Sequence, residues 1–147
     1  LKRIVSFLLV TTLFITTVFA ANNILASSIE EAKTIPTTGK AVSLRLTPCN
    51  EFEANGRDLA LFTCECLDEK GNVVPNATEF VSFSVAAPAK IIGTGSDNCD
   101  HNNVANTERQ MYMGKILVAV KPQKGQKKLK LTAMSNNCGA TVKTVEL

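Results

Sequence analysis

The sequence contains no tryptophan, one tyrosine and one histidine. A lone imidazole, His101, excludes a paired-histidine metal site and leaves no basis for a serine–histidine–acid constellation. The shortage of amphipathic aromatics bears on sugar binding, where Trp and Tyr rings stack on the ligand while their polar tips stay wet. Three of the seven phenylalanines (Phe7, Phe14 and Phe19) fall in the N-terminal apolar segment. Phe62 and Phe83 occupy inward positions of predicted strands. Tyr112 is left as the main candidate platform, with Phe52 and Phe80 behind it. An excess of one charge is also missing. The 16 basic and 13 acidic residues become 14 and 13 once residues 1–20 are removed, because Lys2 and Arg3 leave and no acid does. Such a surface exerts no long-range pull on nucleic acid, and no nucleic-acid partner is expected. Lys121, Lys124, Lys127, Lys128 and Lys130 read as the solvated face of a hairpin.

Long hydrophobic runs are confined to the N-terminus. Lys2 and Arg3 precede an apolar stretch over residues 4–19, and Val18-Phe19-Ala20 offers the small residues that a signal peptidase reads. Residues 1–20 are therefore expected to be a helical signal peptide, cleaved after Ala20 or, as second choice, after Ala26. The run is shorter than the roughly 20 residues of a membrane helix, with an uncleaved anchor as the alternative; after cleavage no membrane association is expected. The mature chain is expected outside the cell or in the cell envelope. Residues 21–39 read as a linker: Ser28-Ile29-Glu30-Glu31 has capping-box spacing, and Ile35-Pro36-Thr37-Thr38-Gly39 breaks any helix. Residues 40–147 suit one small domain with one core.

After Gly39 no segment carries a 3.6-residue apolar stripe; the period is two. The clearest signal runs from Leu59 to Leu67, where Phe62, Cys64 and Cys66 share one face. It ends in the turn Asp68-Glu69-Lys70-Gly71-Asn72, and Glu79 to Val85 alternates next. Further strands are predicted over Ala41–Thr47, Lys90–Gly93, Lys115–Lys121, Lys128–Ala133 and Ala140–Leu147. Lys115–Lys121 is nearly continuous in apolar residues and is expected to be covered on both faces. A change of parity between Val142 and Val145 predicts a bulge in the last strand. The fold class is all-β, an immunoglobulin-like antiparallel sandwich of about seven strands.

Thr94 to Met113 interrupts this pattern with a long polar run, and such loops are often functional. Asp97, Asn98, Asp100, His101 and Asn102, with Tyr112, are the ligand-binding candidates. Asn98-x-Asp100-x-Asn102 imitates the start of a calcium loop. Asn103 and Arg109 stand where that loop would need Gly and Glu, so no metal and no other cofactor is assigned. Acid pairs such as Asp68-Glu69 and Glu51/Glu53 lie in predicted turns and read as solvated charge. No residue is assigned a catalytic role. Of the five cysteines, Cys64 and Cys66 point into the sandwich and are too close along one strand face to bridge each other. Sandwich topology brings the loop holding Cys99 and the hairpin holding Cys138 to one end, which favours a Cys99–Cys138 disulfide. Cys66–Cys138 is the second choice, and five reduced thiols the alternative.

A set of short motifs in order carries a family resemblance. They include Thr37-Thr38-Gly39-Lys40, Leu44-x-Leu46-Thr47-Pro48, Asn55-Gly56-x-Asp58-Leu59-Ala60 and Asp68-x-x-Gly71-Asn72-Val73-Val74-Pro75. Ala89-Lys90-Ile91-Ile92-Gly93-x-Gly95, Asn106-x-Glu108-Arg109, Gly114-Lys115 and Leu131-Thr132-Ala133 follow. Together they resemble the C-terminal immunoglobulin-like domain of family 2 glycoside hydrolases, the β-galactosidase group, itself similar to the repeats of invasin-type adhesins. The family's catalytic carboxylates sit in a (β/α)₈ barrel of about 250 residues, which this chain cannot contain. The resemblance therefore implies a non-catalytic module. The expected function is a secreted binding or spacing domain whose partner is carbohydrate or another envelope protein. The alternative is an accessory domain or fragment of a β-galactosidase-like hydrolase whose catalytic domains lie elsewhere.

Overall fold

The computed structural model describes residues 38–97 and 101–147. The expected signal peptide and nearly all of the expected linker lie outside the described residues. What is described is all-β, with eight strands in two four-stranded antiparallel sheets. One sheet has the order β1 (Ser43–Pro48), β2 (Ala60–Leu67), β6 (Lys115–Lys121), β4 (Lys90–Gly95). The other has the order β5 (Glu108–Gln110), β3 (Phe80–Val85), β7 (Lys128–Ser135), β8 (Gly139–Glu146).

Strict alternation makes the two inner faces. Ala60, Phe62, Cys64 and Cys66 of β2 are completely buried, as are Val118 and Val120 of β6. Val81 and Phe83 of β3 and Leu129, Leu131 and Ala133 of β7 meet them from the opposite sheet. Phe62 is the largest of these, and Phe52 from the β1–β2 connection packs edge-on against it at 6.2 Å between centroids. Burying a side chain of that size contributes about 3 kcal/mol. On the outer face of the first sheet, Glu65 accepts hydrogen bonds from Arg45 and lies 3.0 Å from the Lys115 ammonium. Arg45 and Lys115 are its direct cross-strand neighbours on β1 and β6, the register at which opposite charges stabilise a sheet.

Several expectations are corrected. β6 is covered on one face only: Leu117 is 47% exposed, because both sandwich layers are single sheets and nothing described lies over the outer side. β7 and β8 pair in unbroken register from Lys128↔Glu146 to Ser135↔Gly139, so the last strand has no bulge. Val142 simply faces outward on an edge strand. The bulge is instead in β4, where Ile92 is the extra residue between Ile91↔Val120 and Gly93↔Ala119. β4 also continues past Gly93, whose missing side chain leaves room for the Val104 carbonyl of the following loop. β5 is a strand that alternation did not reveal, since three residues are too few to show a period.

Asp68 is corrected too. It is buried at the end of β2, whereas Glu69, Glu51 and Glu53 are exposed. One carboxylate oxygen accepts from the Lys70 and Asn72 backbone N–H groups at 2.9 and 2.8 Å. The other accepts from the Gly39 N–H at 3.1 Å and the Asn72 carboxamide at 3.3 Å. This side chain closes the turn that leads to Val73 and ties down the start of the domain. Burial by itself would raise its pKa, but these donors hold it below the usual carboxylate value. Glu65 is likewise raised by burial and lowered further by Arg45 and Lys115, ending below its ordinary value.

Chain crossover between the sheets occurs at Tyr112-Met113-Gly114-Lys115. Met113 and Gly114 both have positive φ, 50° and 72°, as a two-residue hairpin turn of type I′ requires. Gly114 is also jammed under the Val74–Pro75 backbone, where an added Cβ would collide with the Val74 carbonyl oxygen.

Gly114→Ala should therefore cost about 3 kcal/mol or more. Gly71→Ala has positive φ but open space around it, and should cost only about 1–2 kcal/mol. Urea unfolding of the two variants measures the difference; equal losses would contradict a steric role for Gly114. The two depressed carboxylates contribute stability that is present above their unfolded pKa values and lost as pH falls through the folded ones. The urea midpoint should drop below about pH 4, and Asp68→Asn should lower the neutral plateau while flattening that acid limb.

Candidate functional site

The described part of the long polar loop is tied back onto the sandwich by a buried arginine. Arg109, 2% exposed on β5, donates from Nη2 to the Thr94 carbonyl at 2.7 Å and to the Asn103 carbonyl at 2.9 Å. Its Nε donates to Thr94 Oγ1 at 3.2 Å. Thr94 Oγ1 donates in turn to the Asn106 carbonyl at 2.6 Å, and Thr94 N–H to the Val104 carbonyl at 2.7 Å. Inside the loop, the Asn103 side chain accepts from Ala105 N–H at 3.0 Å, a local Asx turn. A planar guanidinium suits this role because its fork of donors meets several carbonyls at once. The reading of the sequence did not single out Arg109 as a site residue. Its signal was the charged residue in the family motif Asn106-x-Glu108-Arg109.

The clamp leaves a small polar cleft of about 210 Å³ at one end of the sandwich. Ser96, Asp97 and Asn102 line it from the loop, and Arg109 to Tyr112 line it from β5 and the residues after it. Three predicted site residues (Asp97, Asn102 and Tyr112) thus come together. His101 is exposed and lies off the cleft walls. Asn98 and Asp100, like Cys99, lie outside the described residues. Tyr112 is 52% exposed, so its ring is free to meet a ligand while Met111 beneath it belongs to the core. Among the described residues one carboxylate, that of Asp97, lines the cleft; its other polar groups are hydroxyls, carboxamides and the guanidinium. Such a set can exchange hydrogen bonds with the hydroxyls of a sugar and offer a ring to its face.

The other candidate platforms differ. Phe52 is committed to Phe62, and Phe80 is exposed but stands on the outer face of the second sheet, paired opposite Gln110. A larger groove of about 510 Å³ runs past Thr38–Lys40 and Asp68–Lys70, yet the Asp68 carboxylate there is consumed by its turn. Among the described residues, no three His, Cys, Asp or Glu side chains converge as a metal ion would need. Burial, then the charges of Glu65 and Cys138, push the Cys64 thiol up to about 12.

A family model described as glycoside hydrolase family 2 C-terminal domain 5 matches residues 44–144. The β-galactosidase BoGH2A of Bacteroides ovatus is 38% identical over 105 residues, covering 70% of this chain and 12% of that enzyme. Among solved structures, a family 2 glycosyl hydrolase from Bacteroides cellulosilyticus superimposes with a TM-score of 0.70 at 29% identity. That match covers 74% of this chain and 15% of the hydrolase. A β-glycosidase from Bacteroides vulgatus shares the fold, with a TM-score of 0.69 at 19% identity over 76% of this chain and 15% of its own. The chain thus spans about an eighth of the length of the curated relative it matches.

Arg109→Met keeps the stem but removes the donors, and should cost about 2–4 kcal/mol. Arg109→Lys should not restore the loss, because an ammonium cannot fork between Thr94 and Asn103. Amide hydrogen exchange over residues 101–107 should accelerate in both variants. Unchanged protection there would mean that the loop is held by something other than the arginine.

Proposed function

The chain belongs to the family of glycoside hydrolase family 2 C-terminal domains, and we propose that it is an accessory domain of a β-galactosidase-like hydrolase, its catalytic domains lying elsewhere. The observation that carries this reading is the match over residues 44–144, with relatives in which the matching part is 12–15% of a larger enzyme. It reverses the order of the two readings drawn from the sequence, where a stand-alone secreted binding or spacing module came first. Within the proposed role the sandwich is a rigid, non-catalytic body whose loop cleft meets carbohydrate through Tyr112, Asp97 and Asn102. Export by residues 1–20, to the cell envelope or beyond, belongs to the same proposal.

The test is a replacement in the Bacteroides ovatus enzyme. Removing its matching segment should lower the temperature at which the hydrolase loses activity, and residues 40–147 of this chain in that place should restore most of it. A chimaera no more stable than the truncated enzyme overturns the accessory role. The sugar contact is read separately by titrating the chimaera and its Tyr112→Ala variant with β-galactosides under catalytically inactive conditions. Loss of the ring should weaken binding about fivefold to tenfold at this cleft. Identical affinities would remove the cleft from the proposal and leave a packing role.

A further inference from the structure

Cys66 is the last inward residue of β2 and is completely buried, while Cys138 lies 6% exposed in the turn between β7 and β8. β2 lies in one sheet, and β7 and β8, which flank the turn of Cys138, lie in the other, so the two cysteines come from opposite sheets. Their sulfur atoms are 3.7 Å apart, across 72 positions of sequence. We infer that Cys66 and Cys138 are a disulfide-forming pair that staples the two sheets together at the end of the sandwich bearing the loop cleft.

The surrounding backbone says which side yields. Cys66 is held at both backbone groups, its N–H donating to the Gly114 carbonyl at 3.0 Å and its carbonyl accepting from Val74 N–H at 2.9 Å. Cys138 is in a turn, and its neighbour Gly139 has φ +69° with open space around it. The turn therefore supplies the movement of about 1.7 Å that brings two thiols to bonding distance. Cys64 faces the same interior two residues earlier on β2 and is the competing partner. Cys49 stands apart, exposed, with its sulfur 2.8 Å from the Thr63 hydroxyl.

The chemistry is thiol–disulfide exchange with a low-molecular-weight disulfide such as oxidised glutathione. One cysteine thiolate attacks the oxidant, displaces one glutathione thiolate and forms a mixed disulfide. The second cysteine thiolate then attacks that bond and releases the other glutathione. Two protons and two electrons leave the protein, one S–S bond forms in it, and the S–S bond of the oxidant is broken. Because both thiols are enclosed in the folded state, the exchange belongs to the stage when the β7–β8 turn is open, during folding.

The experiment refolds the full chain from guanidinium with oxidised glutathione, blocks remaining thiols and digests with a glutamate-specific protease. The glutamates at positions 51, 53, 65, 69, 79, 108 and 146 place all five cysteines on different peptides; Glu65 itself separates Cys64 from Cys66. The expected product is the peptide 66–69 linked to the peptide 109–146, about 2 Da lighter than the sum of the two thiol forms. Closing a loop of this length should raise the midpoint of thermal unfolding by roughly 10 °C or more over the reduced chain. That gain should vanish in Cys138→Ser and persist in Cys64→Ser. Linkage of peptide 109–146 to the Cys49, Cys64 or Cys99 peptide, or five free thiols after refolding, overturns the inference. Mapping on the unsubstituted chain decides the pairing even if a serine variant fails to fold.

Discussion

The close approach of Gly114 to the Val74–Pro75 backbone is the constraint on which the rest of the domain depends. At this point the chain leaves one sheet for the other, and only a residue without a Cβ can pass beneath the Val74 carbonyl. The Gly114 carbonyl accepts from Cys66 N–H, and the Cys66 carbonyl accepts from Val74 N–H, so three segments are locked in one layer. The positive φ of Met113 and Gly114 turns the chain tightly enough for Lys115 to fall opposite Glu65. Every inward residue of β6 is placed by that register, because a one-residue slip would turn Ile116, Val118 and Val120 to the outside.

The same crossover sets the functional end. Residues 109–112 run directly into it, so Arg109, Met111 and Tyr112 have fixed positions before the long loop is considered. Met111 is rooted in the core, Tyr112 stands half in solvent, and Arg109 reaches back to Thr94 at the end of β4. The loop is then folded down on this frame by carbonyls that the guanidinium and the Thr94 hydroxyl satisfy. Burying those carbonyls without donors would be costly, so a positive charge at this place in the interior is explained by the groups it meets.

Residues 44–144 match the family 2 C-terminal domains, and in this chain that body is a sandwich with a modest polar cleft at one end. The described geometry offers a small cleft of about 210 Å³, walled by hydroxyls, carboxamides, one guanidinium and the Tyr112 ring. Cys66, one of the buried cysteine pair, sits at that same end, its N–H bonded to the Gly114 carbonyl of the crossover.

The sequence by itself determined the all-β class, seven of the eight strands, the inward face of β2, the inward place of Phe83 on β3, and the family. These are local matters, since a period of two is written residue by residue and turns carry their own Gly and Asn. It also marked Asp97, Asn102 and Tyr112 as candidates, because a polar run between strands stands out against alternation. Tertiary structure alone decided that Asp68 is a buried acceptor rather than a solvated charge, since its donors include a residue 29 positions away. It alone showed the bulge at Ile92, the three residues of β5, and Arg109 as the clamp of the loop. For the cysteines the sequence offered Cys66–Cys138 only as second choice, and it is the fold that sets those two sulfur atoms 3.7 Å apart. In each case the partner is remote in sequence, and a pattern of spacing holds no information about which distant carbonyl, carboxylate or thiol the fold will set opposite.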